Sequence, residues 1–135
     1  MRTTHYLVTF AALGSLAACS GDETNLACEA PRPPLRSTAN AGEAPELTPV
    51  VRFRVTSQGT VTRGSESFDG SQLQEVLADA DKFIPNPVYV FEVDEAVPCA
   101  KLAAVRAVLG DASLCKSGNC FEGELPAHWR AMPDT

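Results

Sequence analysis

The chain has 135 residues, a formal net charge of -6 and five cysteines, and this length favours a single domain. Its hydrophobic content of 44% and its charged content of 21% are typical of a globular protein and exclude wholesale disorder. The acidic balance excludes a nucleic-acid-binding protein, which needs a basic surface. The two histidines, His5 and His128, are too few for a multi-histidine metal centre.

The first nineteen residues have the pattern of a secretory leader. Arg2 provides a positive start, and residues 6–18 form an apolar stretch of 13 residues. This stretch is shorter than the roughly 20 apolar residues that a transmembrane helix needs, and it ends in small residues as a leader does. The stretch ends in Leu16-Ala17-Ala18, and Cys19 follows. This end resembles the lipobox of bacterial lipoproteins, in which a leucine and two small residues precede the cysteine that becomes the mature N-terminus.

The lipobox resemblance implies that residues 1–18 are a signal peptide. It also implies that Cys19 carries a diacylglycerol on its sulfur and a third acyl chain, such as palmitate, on its amine. Two or more acyl chains hold a protein stably at a membrane without a spanning segment. Ser20 rather than Asp follows the cysteine, and by the same resemblance this favours the outer membrane, with the protein facing the periplasm. The alternative is a simple leader cut near Ala18 that leaves Cys19 as a spare thiol.

Residues 19–48 are predicted to be a lipidated N-terminus followed by a proline-rich tether. The polar run 20–25 precedes prolines whose spacing allows no apolar period of 2 or 3.6 residues: Pro31, Pro33, Pro34, Pro45 and, at the boundary, Pro49. Such stretches favour extended, semi-rigid backbone. We therefore expect a spacer that lifts a domain off the lipid surface.

Residues 49–125 are predicted to form the domain, and its first half indicates a hairpin and a helix. Val51, Phe53 and Val55 alternate with polar residues, as in a half-buried strand, and a turn at 57–59 leads to a second strand at 60–63. A helix follows Asp69, because Gln72 stands three residues later as in a capping box. Pro85-Asn86-Pro87 ends this helix, and its apolar stripe comprises Leu73, Val76, Leu77, Ala80 and Phe83.

The second half of the domain alternates strands and helices. Residues 88–93 are nearly all apolar and predict a strand buried on both faces. A second helix begins near Pro98 and ends at Gly110, and short strands are expected at 112–115 and 120–122, around a turn at 116–119. The predicted fold is α+β, a two-layer β-β-α-β-α-β(β) arrangement with both helices on one face of a small mixed sheet. Residues 126–135 form a C-terminal tail.

These elements, from residue 50 to about residue 115, resemble the periplasmic domain of the ExbD/TolR family. The resemblance rests on the hairpin at 51–63, the capped helix, the strand at 88–93 and the turn Asp94-Glu95-Ala96-Val97-Pro98. It implies a small periplasmic module that pairs with itself or with envelope partners, peptidoglycan among them. Members of that family also carry a transmembrane helix with a coupling aspartate. This chain has no acidic residue before Asp22, so the energy-transducing role is not implied.

The four cysteines after Cys19 predict two disulfides, since an even set is expected to pair in an oxidising compartment. We prefer Cys115–Cys120 with Cys28–Cys99, because the turn at 116–119 brings the first pair together. The competing arrangement is Cys99–Cys115 with Cys28–Cys120. A zinc site at Cys115, Cys120 and His128 would lack a C-x2-C pair and a fourth ligand, so neither a metal nor another cofactor is expected.

Four residues are candidates for partner binding. Arg52, Arg54 and Arg63 are predicted to form a basic strip on the outer face of the hairpin. Such a strip suits an acidic partner or peptidoglycan carboxylates, and a solvated strand face explains it equally well. Trp129 is either a docking aromatic or part of a tail that packs against the domain.

The sequence thus predicts a non-catalytic envelope lipoprotein. Its small periplasmic domain is expected to bind to itself, to an envelope protein or to peptidoglycan, and not to nucleic acid. The alternative is a small periplasmic thiol enzyme, or an enzyme inhibitor, that uses cysteine or His128 chemistry. The sequence contains no G-x-S-x-G, Walker, GxGxxG or H-E-x-x-H motif.

Overall fold

The computed structural model describes residues 28–134, so the leader and Cys19 lie outside the described residues. The strands are β1 (Arg36–Ser37), β2 (Val50–Val55), β3 (Val61–Arg63), β4 (Glu66–Phe68), β5 (Val88–Val93) and β6 (Cys120–Glu122). The helices are α1 (Gly70–Ala80), α2 (Cys99–Asp111) and the short α3 (Ser113–Lys116), and a 3-10 turn spans Thr38–Asn40. None of the helices in this part of the chain is long and apolar enough to span a membrane.

The strands form one mixed sheet in the order β1-β6-β5-β2-β3-β4. Strand β5 pairs in parallel with β2 and β6, and Phe91 lies opposite Phe53 in the register. Strands β2, β3 and β4 form an antiparallel meander. The turn between β2 and β3 contains Gly59 at φ +78°, a backbone conformation that side chains rarely adopt. The α+β class and the mixed sheet predicted from the sequence are confirmed.

Both long helices cover one face of the sheet. The main core joins inward residues of β2 and β5 to the apolar stripes of the helices in one cluster: Val51, Phe53, Val55, Tyr89, Phe91, Leu73, Leu77, Ala80, Leu102, Val105 and Leu109. Phe53 and Phe91 stack with their ring centroids 5.1 Å apart at the centre of this layer. The two-layer arrangement follows because each helix has one apolar stripe and the sheet offers one large apolar face.

A second, smaller core covers the opposite face of the sheet. It contains Val50, Val88, Val90, Phe121 and Trp129. The C-terminal tail supplies Trp129, and the backbone N–H of Met132 donates to Val50 O at 2.8 Å. Residues 88–91 of β5 are therefore buried on both sides of the sheet, as the continuous apolar run predicts.

Helix α1 begins at the predicted capping box. Asp69 Oδ1 accepts a hydrogen bond from the Gln72 backbone N–H at 2.8 Å, and Gln72 Oε1 accepts one from the Asp69 N–H at 2.9 Å. The helix ends at Ala80, before the predicted proline stop. Phe83 consequently lies outside the helix and is 64% exposed, so its assignment to the buried stripe was wrong.

Two short elements and the end of one helix differ from the sequence prediction for residues 49–125. Residues 112–115 are not a strand, since Ser113–Lys116 form helix α3 with Leu114 and Cys115 fully buried. Gly110 does not end the second helix, which continues to Asp111. Strand β4 was not predicted at all. Short apolar runs carry too few residues to separate a helical from an extended period.

Residues 28–48 belong to the domain rather than to a free tether. Leu35 is buried in the main core, and β1 pairs in parallel with β6. Cys28 is bonded to Cys99 at the start of α2. The folded unit therefore begins at or before residue 28 and not at residue 49. The predicted spacer can therefore comprise only residues 19–27, which lie outside the described residues.

Candidate functional site

All four cysteines in the described chain are in disulfides. Cys28 is bonded to Cys99 and Cys115 to Cys120, with Cα–Cα separations of 5.4 and 4.7 Å. These are the pairs that the sequence analysis preferred, and the competing arrangement is not formed. Cys115 and Cys120 are both 0% exposed, so this bond is buried in the main core, where it joins α3 to the first residue of β6.

The three arginines do not form a single basic strip. Arg52 and Arg54 lie on the face of the sheet opposite the helices, whereas Arg63 lies on the helix side, because Val61, two residues earlier, pairs with Val55 and faces the main core. Arg52 Nε is 3.3 Å from Glu92 Oε1 and its Nη2 is 4.0 Å from Asp134. The predicted common outer face is therefore wrong for Arg63.

Arg54 forms no ion pair within residues 28–134, and carboxylates lie around it. Arg54 lines a groove at the end of the sheet together with Glu92, Asp94, Glu95, Glu122 and Glu124. This groove carries more negative than positive charge. It does not offer the cationic surface that peptidoglycan carboxylates would require.

Trp129 is buried in the second core. It is 4% exposed, and its ring meets Phe121 edge-on with centroids 5.3 Å apart. His128 Nε2, beside it, lies 2.9 Å from Gly42 O, which accepts a hydrogen bond. Of the two roles considered for Trp129, packing of the tail against the domain is the one that the structure shows.

An apolar cavity of about 550 Å³ opens on the helix side of the sheet, just beyond the end of α1. Its inner wall consists of β2, the β3–β4 hairpin, the start of β5 and one turn of α1, through Val51, Phe53, Phe68, Val76, Pro87 and Tyr89. We call this space the apolar cavity. Pockets of roughly this size, about 300–1,000 Å³ with apolar walls and few polar groups, are the usual form of small-ligand sites.

Three exposed apolar side chains surround the mouth of the cavity. Ile84 is 98% exposed, Phe83 is 64% exposed and Met132 is 48% exposed, and all three line the same opening. We call them the apolar rim. Pro85 stands next to Ile84 in the same wall and restricts the backbone of this loop. Asn86 also fixes the loop, because its Nδ2 donates to Phe83 O at 2.9 Å.

Two polar groups of the cavity lack strong partners. Arg63 Nε is buried and has no hydrogen-bond partner, although Arg63 Nη2 donates a long 3.4 Å bond to Pro133 O. Tyr89 has a buried ring, and its hydroxyl has no hydrogen-bond partner within residues 28–134. Burial raises the pKa of Tyr89, against the smaller opposing effect of the Arg63 charge, so this hydroxyl remains a donor at neutral pH.

The apolar cavity is not predicted by any pattern in the sequence. It combines the tail with four segments between Pro49 and Tyr89, and no local motif links them. Phe83 and Ile84, two large apolar residues next to the predicted stop of a helix, are a signal for it, but the helical period assigns Phe83 to the buried stripe instead. Large apolar residues beside a proline-rich helix stop are a pattern that can be recognised from sequence.

The fold and its site define a small, disulfide-stapled α+β domain with an apolar cavity. Within residues 28–134, no cluster of three or more histidine, cysteine or acidic side chains could hold a metal ion. No protein-family model, curated protein or solved structure matches the chain.

Proposed function

We propose that the protein is a non-catalytic envelope lipoprotein, anchored through Cys19 to the outer membrane and facing the periplasm. Its domain binds a partner through the apolar rim. The observation that carries the proposal is the exposure of Phe83, Ile84 and Met132 around one opening. Grouped exposed apolar side chains mark interaction sites, whereas single ones are common on any surface.

The geometry of the rim favours an apolar partner over peptidoglycan. Asn86 and Pro85 hold the loop in place, so little conformational entropy is lost when a partner binds. Of the three arginines predicted to suit peptidoglycan, Arg52 pairs with Glu92 and Arg54 lies among carboxylates of the protein itself, while Arg63 lies on the other face of the sheet. An apolar segment of an envelope protein, or a second copy of this chain, is the partner that this surface supports.

The alternative of a thiol enzyme needs a free thiolate, because the thiolate is the nucleophile. The four described cysteines are in disulfides, and His128 contacts a backbone carbonyl in the tail segment. The binding role is the better supported of the two. An enzyme inhibitor would also be a binding protein, and it would contact its target enzyme through the same apolar rim.

A photo-crosslinking amino acid at position 84, tested in intact cells, examines the proposed binding surface. Ile84 is 98% exposed, so its replacement leaves the core intact. We expect a discrete crosslinked species from position 84 and none from the control position Ser67, an exposed residue of β4. Equal crosslinking at both positions, or at neither, would contradict a partner at the rim.

The anchor is tested separately by Cys19→Ser. If Cys19 is the acylated residue, the variant should either stay as an uncleaved precursor or move to the soluble fraction, because acyl chains contribute about 0.8 kcal/mol per buried CH₂ to membrane binding. Detergent partitioning and intact-mass measurement give the result. A variant that partitions like the wild type, with no change in mass beyond the substitution, rules out acylation at this position.

A further inference from the structure

We propose that the apolar cavity binds a single-chain alkyl carboxylate, with the chain against the aromatic wall and the carboxylate on Arg63. This inference goes beyond the proposed function, because it concerns a small ligand inside the cavity and not a macromolecular partner on the rim. It does not depend on lipidation of Cys19.

The size and lining of the cavity suit an alkyl chain. Its volume of about 550 Å³ falls within the range of small-ligand sites, and its inner wall contains Phe53, Phe68 and Tyr89. Aromatic and proline walls offer apolar surface that does not rearrange on binding. Each CH₂ that becomes fully buried should tighten binding by up to about fourfold, so affinity should rise with chain length until the cavity is full.

The head group is indicated by the two polar groups that lack partners. Within residues 28–134, Arg63 Nε is a buried donor that makes no hydrogen bond, although Nη2 of the same guanidinium donates a long bond to Pro133 O, and the Tyr89 hydroxyl is a second donor in the same wall. Two donors call for an acceptor, and a guanidinium pairs most strongly with a carboxylate, through two parallel hydrogen bonds. A ligand carboxylate would provide the acceptor that the Arg63 guanidinium lacks at Nε.

Neither of the two acidic residues near Arg63 forms a hydrogen bond with its Nε. Asp134 Oδ1 is 4.0 Å from Arg63 Nε, beyond hydrogen-bond distance, and Glu66 lines the cavity but forms no ion pair with Arg63. Glu66 is exposed and stays hydrated, whereas the buried Nε of Arg63 has lost its water. Binding of the ligand carboxylate to Arg63 therefore displaces the tail at Asp134. The Asp134 carboxylate competes with the ligand for the Arg63 guanidinium.

The test compares head groups on one chain length. The full chain carrying Cys19→Ser, which has no acylation site of its own at that position, is titrated calorimetrically below the micelle concentration. The probes are dodecanoate, 1-dodecanol and dodecyltrimethylammonium, with octanoate as the shorter carboxylate. We expect dodecanoate to bind at least about tenfold more tightly than the alcohol or the ammonium compound, and more tightly than octanoate.

Three substitutions in that protein locate the carboxylate. Arg63→Gln should weaken dodecanoate binding at least about tenfold and remove the preference over the alcohol. The matched control, Arg54→Gln, removes an exposed arginine on the opposite face and should change nothing. Asp134→Asn should tighten binding by up to about fivefold, because it removes the competing charge.

The proposal is overturned if dodecanoate does not bind, or if all three head groups bind equally. It is also overturned if Asp134→Asn weakens binding or leaves it unchanged. This last result decides the question even if Arg63→Gln does not fold. A dimer in sedimentation that depends on Ile84 and excludes dodecanoate would assign the cavity to a second copy instead. Crosslinking failure at position 84 with intact dodecanoate binding would contradict only the proposed partner at the rim.

Discussion

Replacing Arg106 by methionine should reduce the free energy of unfolding by about 3–5 kcal/mol, the range found when one partner of a buried ion pair is removed. Arg106 on α2 donates from Nε and Nη2 to the two carboxylate oxygens of Glu122 on β6, at 2.8 and 2.6 Å. Glu122 is 7% exposed. Without its partner, the carboxylate would remain buried and uncompensated.

Urea unfolding of the wild type and three variants tests this expectation. Arg54→Met serves as the control, because Arg54 is exposed and forms no ion pair in the described part of the chain, and it should change stability by less than about 1 kcal/mol. The double variant Arg106→Met/Glu122→Met should recover most of the loss, since two apolar side chains then fill the site. A double variant that is no more stable than Arg106→Met would show that the loss comes from packing rather than from charge.

The long elements could be predicted because their periods span many residues. The stripe of Leu73, Leu77 and Ala80 and the apolar run of β5 each repeat several times, and both face the cores they predict. Short elements depend on distant contacts instead. Strand β1 has only two residues and forms because it pairs with the edge of the sheet at β6. The sequence of residues 28–48 alone does not indicate this pairing.

The face occupied by Arg63 shows why the site was harder to predict than the fold. Side chains alternate along a strand, so a shift of one residue in the pairing moves every side chain to the other face. The register pairs Arg54 with Thr62 rather than with Arg63. Arg63 therefore faces the helix side and lines the apolar cavity. The turn length that sets this register cannot be read from a pattern of alternating residues.

Removing the Cys28–Cys99 disulfide should reduce the free energy of unfolding by about 4 kcal/mol. The two residues are separated by 71 positions, and closing so long a loop removes much of the entropy of the unfolded chain. The bond also joins the segment that carries Leu35 and β1 to the start of α2. Cys28→Ala/Cys99→Ala should therefore lower both the global stability and the local protection of residues 28–37.

Urea unfolding and amide hydrogen exchange measure the two effects of this double variant. The comparison is Cys115→Ala/Cys120→Ala, where the residues are 5 positions apart and the same loop-entropy argument gives about 2 kcal/mol. Both alanine pairs keep a small apolar side chain at each position. A loss of less than about 1 kcal/mol for Cys28→Ala/Cys99→Ala, with the Leu35 amide still protected, would mean that burial of Leu35 and the β1–β6 pairing hold residues 28–48 to the domain without the covalent bond.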